Sequence, residues 1–459
     1  MKRRTFNTAL AILGLGALAG CAPTWRPAPP LASVAPPAGW REPNDGTAPV
    51  DPHWWRSFGD PVLAALVEAA LARNSDVLIA VARVDEARAQ AELAEAARLP
   101  AVNGAIGLQA GRALESTGIS NSKVVQPSLQ ASWELDVFGR IRNQIRAASL
   151  QFRATEAERD AAALGVAAST AQNYIALLAL DAQLRITRET VASRAEALRL
   201  ASDQARVGYI SQLQLTQAQS EYQAVLQSIP ELELAARRQE NAVRLLAGEL
   251  PGAVERGKAF EALQLPPVPA ALPSQLLARR PDVAQRELLL AASDAALAVR
   301  RQAFLPQVNL SAQLGSIFID ALDYDPVSVW SVGGSILAPL FTGGRLRAQY
   351  AASASVRDQA AFAYRRTVLT AFSEVENALA GVPRLQDQVG HALQRREVLT
   401  RSLGYARDRY QAGYASYLEE LDAQRNLYQV ELQLVTLRRT QIENLIGLYR
   451  ALGGGWAGS

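Results

Sequence analysis

The chain has 459 residues, with 47 Lys and Arg against 44 Asp and Glu and a formal net charge of +3. That balance, without a basic patch, leaves no electrostatic footprint for nucleic acid. The only two histidines, His53 and His391, lie far apart, the single cysteine forbids a disulfide within the chain, and the glycine run at 453–455 has no following helix, so no metal site, catalytic dyad or phosphate loop is expected, and no enzyme.

Residues 1–20 read as a lipoprotein signal peptide: Lys2, Arg3 and Arg4, an apolar run from about Ala9 to Leu18, then Ala19-Gly20-Cys21. Leu18-Ala-Gly-Cys21 resembles a lipobox, where signal peptidase II cuts before a cysteine that receives diacylglycerol. An ordinary signal with a chance cysteine is the rival, but the only Cys stands where a lipobox needs it. A covalent lipid on Cys21 is therefore expected, and no other cofactor. Arg3-Arg4-Thr-Phe6 faintly resembles a twin-arginine signal, although an ordinary basic segment explains it as well. Losing the signal takes the formal balance from +3 to zero. Ala22 resembles the residue after the cysteine in lipoproteins sorted to the outer membrane. Residues 21–59 read as an extended, proline-rich tether that adds reach but little structure.

From there the chain states one design twice, over 60–273 and 274–459. Asp76-Val77 recurs as Asp282-Val283, Leu99-Pro100 as Leu305-Pro306, and Phe138-Gly-Arg140 as Phe341-Thr-Gly-Gly-Arg345. From Arg140 to Gly208 is 68 positions, and from Arg345 to Gly413 is again 68, so the copies hold register. Helical patterns run from about Asp60 to Leu99, from Arg140 to near Val207, and from Ser211 to about Gly248. The middle one lacks proline, and at 1.5 Å per residue it spans about 100 Å. In the second copy Gly381-Val-Pro383 and Gly390 interrupt the matching stretch, where a kink or break is expected, giving an irregular belt. The last helix runs from Ser416 to Leu452 with a narrow apolar stripe, which needs neighbouring helices alongside. No run of 18 apolar residues follows the signal, so no membrane-crossing helix is expected.

Four segments alternate apolar and polar residues instead, at about 101–111, 127–138, 306–316 and 329–340. Val102, Ile106 and Leu108, then Leu129, Trp133 and Val137, mark the apolar face in the first copy; Val308, Leu310 and Leu314, then Trp330, Val332 and Ile336, mark it in the second. About ten alternating residues suit a tilted strand crossing a bilayer. A soluble sandwich would also alternate but fits poorly beside such long helices. Four strands cannot close a barrel, and open edges are not tolerated in lipid, so copies of the chain must pool strands. Two copies give eight strands around a plugged lumen, and three give twelve around a water-filled passage. Small and polar inward residues such as Gly107, Ser128, Ser132, Ser311 and Ser331 favour three.

Arg279-Arg-Pro-Asp-Val283, Phe304-Leu-Pro306, Pro339-Leu-Phe-Thr-Gly-Gly344, Ser416-Tyr-Leu-Glu-Glu-Leu-Asp-Ala-Gln-Arg425 and Ala451-Leu-Gly-Gly-Gly-Trp456 together resemble the outer-membrane efflux protein family, in its NodT/OprM-type lipoprotein branch, with TolC more distant. The resemblance covers essentially all the mature chain. It implies a mainly α fold with β: a homotrimer whose twelve-strand transmembrane barrel is continued by an α-helical tunnel. It further implies an exit duct embedded in outer-membrane lipid, served by a periplasmic adaptor and an inner-membrane pump, commonly of the RND type, and passing drugs, toxic compounds or ions. A lipoprotein spacer of the cell envelope would explain the helices but not the four alternating segments.

Two sites carry over. Gly208-Tyr209 and Gly413-Tyr414 match the turns at the periplasmic tips, where adaptors dock in the family; glycine also serves any turn that needs positive φ. Leu418 and Asp422 match the leucine and aspartate of the closed periplasmic aperture, on one helix face at i, i+4. Threefold repetition would gather three Asp422 carboxylates, with Arg425 a candidate partner. A solvated i, i+3 pair is the plain alternative. The first copy has Leu213 and Gln217 near these places and lacks the acid.

Overall fold

The computed structural model describes residues 23–42, 49–115, 118–269 and 272–456. The signal peptide and Cys21 lie outside the described residues. The elements are α1 (Pro61–Arg73), α2 (Ser75–Ala96), β1 (Ala101–Glu115), β2 (Gly118–Leu135), α3 (Arg140–Arg206), α4 (Gln212–Leu246), α5 (Pro273–Arg279), α6 (Pro281–Gln302), β3 (Gln307–Ile319), β4 (Val327–Leu337), α7 (Arg345–Gln411) and α8 (Tyr417–Ala451). α3 and α7 each have 67 residues, and α4 and α8 each have 35, so whole elements are duplicated.

The first helix differs from expectation, because it is two. Asn74 leaves the helix with ψ 131°. Its side chain accepts from the Asp76 N–H at 2.9 Å and donates to the Leu246 carbonyl at 2.9 Å. Asparagine competes for backbone groups in this way, so it ends α1 and caps α2. The break recurs at Arg280, which is extended with ψ 119°. There Pro281 disfavours helical backbone in the residue before it.

The chain forms two compact units. One comprises Arg83–Glu156, Gln285–Arg365 and the described part of Met1–Ser33. Its sheet runs β1-β2-β3-β4, antiparallel throughout. Register aligns Val102, Ala131, Ala312 and Val332 across the four strands, and Gly104, Leu129, Leu314 and Trp330 likewise. The alternation thus builds one continuous apolar face, on which Val102, Leu129, Leu314, Trp330, Val332 and Ile336 are 56–76% exposed. Among the described residues β1 and β4 each pair on one side only.

Strand bounds differ from the alternating segments. β1 runs to Glu115, β2 begins at Gly118 instead of 127, β3 reaches Ile319, and β4 spans Val327–Leu337. Polar pairs such as Arg112 with Asn121 and Gly111 with Ser122 continue the ladder where the apolar alternation is interrupted, so alternation underreports the hairpin. β2 stops at Leu135 rather than 138 because Asp136 turns to cap α3, accepting from the N–H groups of Ile141 and Arg142 at 2.9 Å each.

The expected tether is instead docked. In the same unit, Arg357, 1% exposed, donates to the carbonyls of Arg26 and Pro27 at 2.8 and 2.9 Å, and Tyr350 donates to that of Thr24 at 2.9 Å. Extended proline-rich backbone leaves its carbonyls free of local bonds, as at Thr24, Arg26 and Pro27, so arginine forks can hold it.

The other unit comprises Val34–Ala82, Ala157–Ala284 and the described part of Arg366–Ser459. Here too residues of the supposed tether are structural: Trp40 packs on Phe372 at 5.9 Å, and Trp54, 0% exposed, stacks on Tyr449 at 5.7 Å. Such rings bury too much apolar area to be left in a linker. Around them, Leu63 and Val67 of α1 pack with Ala171, Ile175 and Leu178 of α3 and Ile442 and Ile446 of α8. Part of α3 is, contrary to expectation, long and apolar enough to cross a membrane, and 56% of it is buried in the molecule. Its alanines let neighbouring helices approach closely. α7 is not broken: it continues through Pro383. Asn444 donates to the Ala378 carbonyl and Arg384 to that of Ala380, both at 2.9 Å, on either side of the Leu379 carbonyl that Pro383 leaves without its helical donor. Gly381 is needed there because a Cβ would lie 2.5 Å from Asn444.

Candidate functional site

Within this second unit the two tip turns are built alike. Gly208 has φ 77° and Gly413 φ 78°. The Gly208 N–H donates to the Ala205 carbonyl at 3.1 Å and the Tyr209 N–H to that of Gln204 at 2.8 Å; Gly413 and Tyr414 do the same to Tyr410 and Arg409 at 3.0 and 2.9 Å. These paired bonds are the Schellman closure, which needs a left-handed residue and so selects glycine. Ser211 then caps α4 in a reciprocal pair with Gln214. Ser416 makes no side-chain cap on α8, whose first turn instead pairs Glu419 with Arg409 at 3.2 Å.

The turns lie together, since a Cβ on Gly413 would sit 3.8 Å from the Tyr209 hydroxyl. Tyr209 and Tyr414 are 73% and 82% exposed, and Val207 75%. Behind them Ala201, Ala218, Tyr417 and Leu421 form a small core. Tyr410 packs on Tyr417 at 5.8 Å and donates to Gln204 at 2.8 Å. Burial pushes both hydroxyls above the usual tyrosine range. The glycines thus sit on a rigid base while the tyrosines face outward.

Leu418 and Asp422 occupy successive turns of α8 and are both outward, Leu418 48% exposed and the Asp422 side chain 58%. Arg425 reaches Asp422 at 3.5 Å, the pair expected from spacing. Its closer partner is Glu221 on α4, which it contacts directly. That hydrogen bond holds the Glu221 carboxyl below the usual range and raises the Arg425 guanidinium. On the other side of Glu221, at 3.9 Å, stands Arg194 of α3, 2% exposed. It donates to Gln424 at 2.5 Å, and Gln424 donates to Glu420 at 2.9 Å. Arg407 of α7 approaches Glu420 at 3.5 Å. Desolvation lowers the affinity of Arg194 for its proton, and its Nε is buried without a partner.

Four helices are therefore stitched together by Asp422, Arg425, Glu221, Arg194, Gln424, Glu420 and Arg407. Glu221, Arg194 and Glu420 escaped the sequence reading. Arg194 has no acid one turn away to mark it. Glu221 does carry a signal: it lies 204 positions before Arg425, one short of the 205 that separate Gly208 from Gly413. Near-equivalent positions of the two copies meet across the bundle.

The profile of the family described as "Outer membrane efflux protein" matches residues 66–249 and 272–454. The pyoverdine export outer membrane protein OpmQ of Pseudomonas aeruginosa is 33% identical over 468 residues, covering 99% of this chain and 98% of its own. The cation efflux system protein CusC of Escherichia coli is 32% identical over 409 residues, covering 88% of each. Among solved structures, the outer-membrane channel OprN superposes with TM-score 0.87 at 28% identity, over 95% of this chain and 99% of that one.

Proposed function

The chain belongs to the outer membrane efflux protein family, and from that premise we propose that it is the outer-membrane exit duct of a tripartite efflux system. Three copies pool their strands into a twelve-strand barrel, and the paired long helices wall a periplasmic tunnel. The observation that carries this is the sheet: four antiparallel strands with a continuous exposed apolar face and, among the described residues, two unpaired edges. In water such a face and such edges are a liability, and in lipid the edges must find partners. The polar face, bearing Ser311, Ser331 and Ser335, then lines a water-filled passage. Cys21 carries the lipid in this reading.

The tip turns at Gly208 and Gly413 present Tyr209 and Tyr414 to a periplasmic adaptor, which couples the duct to an inner-membrane pump of the RND type. Leu418 and Asp422 form the aperture, narrowed by three copies of each, and Arg425 ties Asp422 back to Glu221. One named relative exports pyoverdine and another belongs to a cation efflux system. Cargoes so unlike suit a permissive duct with selection upstream. The test is single-channel conductance of the purified protein in planar bilayers, with subunit mass by light scattering. Regular conductance steps from a trimer are expected; absence of conductance in the wild type and in tip variants would leave only a structural lipoprotein.

A further inference from the structure

The two copies differ where strands hand over to long helices, within the sheet-containing unit. In the first copy Glu134 grips Arg140 through both oxygens, at 2.9 Å to Nε and 2.6 Å to Nη2, and Asp136 caps α3. Aligning Phe138 with Phe341 makes Leu337 and Pro339 the counterparts of Glu134 and Asp136. The second copy has thus lost both carboxylates and kept the arginine, Arg345. Neither Arg345 nor Arg300 has a partner for its guanidinium among the described residues. With Arg140 they line one cavity of about 400 Å³, whose walls include Gln307, Leu337 and Pro339. Gln307 and Leu337 are register partners, so they share a face of the sheet, and Gln307 begins the polar alternation of β3.

Three guanidinium groups around one hollow, only one of them neutralised, form a receptor for an oxyanion. Arginine forks match carboxylate and phosphate oxygens two at a time, and a concave, partly apolar wall strengthens that attraction over open water. The first copy shows what belongs at such a position, since its own carboxylates fill it. Volume and the aliphatic walls admit more than a bare ion. We propose that this cavity binds organic anions, a carboxylate or phosphate on a small apolar body, entering from the polar face of the sheet. The assignment rests on the duct reading, in which that face meets the water-filled passage. Three chains then place six uncompensated arginines around it.

The experiment uses the full-length purified trimer in detergent at low salt, titrated calorimetrically with phenyl phosphate, and with inorganic phosphate and benzyl alcohol as separate arms. Saturable binding of phenyl phosphate is expected, at least tenfold tighter than inorganic phosphate, with none of benzyl alcohol. The pair Arg300→Gln, Arg345→Gln should weaken it tenfold or more. Should that variant not fold, Leu337→Glu with Pro339→Asp restores the carboxylates of the first copy and should weaken binding equally. Equal binding of both phosphates, binding unchanged in either variant, or no binding by a wild type that still conducts would each overturn the site. The last result would assign the arginines to a carboxylate of a neighbouring chain. Loss of conductance in the wild type would instead sink the duct itself.

Discussion

Glu221→Gln removes the acid that sits between two arginines at the tip. The Glu221 side chain is 14% exposed, Arg194 2% and Arg425 46%. Deleting one member of a buried ion pair costs roughly 3–5 kcal/mol, because the remaining charge is left uncompensated. Arg425 is half in water and still has Asp422, so its share falls to about 1 kcal/mol or less. Arg194 keeps Gln424 but loses the carboxylate oxygen of Glu221, at 3.9 Å. Together about 2 kcal/mol is expected; for the aperture proposed above, which this pair braces, that is a roughly 30-fold shift toward opening.

The pH dependence follows from the same bond. The Arg425 hydrogen bond depresses the Glu221 carboxyl below 4.5 in the folded chain. Its contribution is complete above the ordinary glutamate range and fades as pH falls through the depressed value. Wild-type conductance in planar bilayers should therefore hold steady through the ordinary glutamate range and rise only at more acid pH. Glu221→Gln should conduct strongly at pH 7 and lose that acid step. A variant with wild-type conductance at pH 7 and an intact acid step would refute the role of this pair.

Asp422→Ala should raise conductance and sensitivity to large antibiotics added outside, by less than Glu221→Gln, since its pair with Arg425 is exposed; unchanged values in both assays would return Asp422 to a solvated helix face. Gly413→Asp forces a side chain into φ 78° at a cost of about 1 kcal/mol, and should lower efflux in cells while light scattering still reports a trimer. Arg357→Met frees the carbonyls of Arg26 and Pro27 and takes an arginine from Asp294, while Asp358 keeps Arg26, for a loss of about 2 kcal/mol. Limited proteolysis should then cut within residues 23–33 well before the wild type is touched, and equal cutting rates would mean the strap is held by other contacts.

What could be read in advance was whatever repeats along the chain. Alternation exposes the apolar sheet face directly, because side chains change sides at every residue, and duplicated glycines mark turns that only glycine closes. What could not be read depends on contacts between distant segments. Asn74 ends a helix by reaching Leu246, the helix around Pro383 is pinned by Asn444 from another helix, and Arg357 holds a strap more than 320 residues away in sequence. At the tip, local spacing pointed to Asp422 and Arg425, the exposed pair. The stronger partner, Glu221, lay one repeat back and needed the fold to bring it round.

The outer edges of β1 and β4, unpaired among the described residues, also bear on how such a chain is born. The helical unit carries its own apolar core and has what it needs to condense in water. The sheet does not, for a lone chain that completed it would offer two sticky borders and an oily side to every neighbour. On the duct proposed above, an order of assembly follows: helices first, strands held back until copies of the chain can pool them. The kinetic hazard of this molecule is therefore concentrated in the interval between its two halves folding.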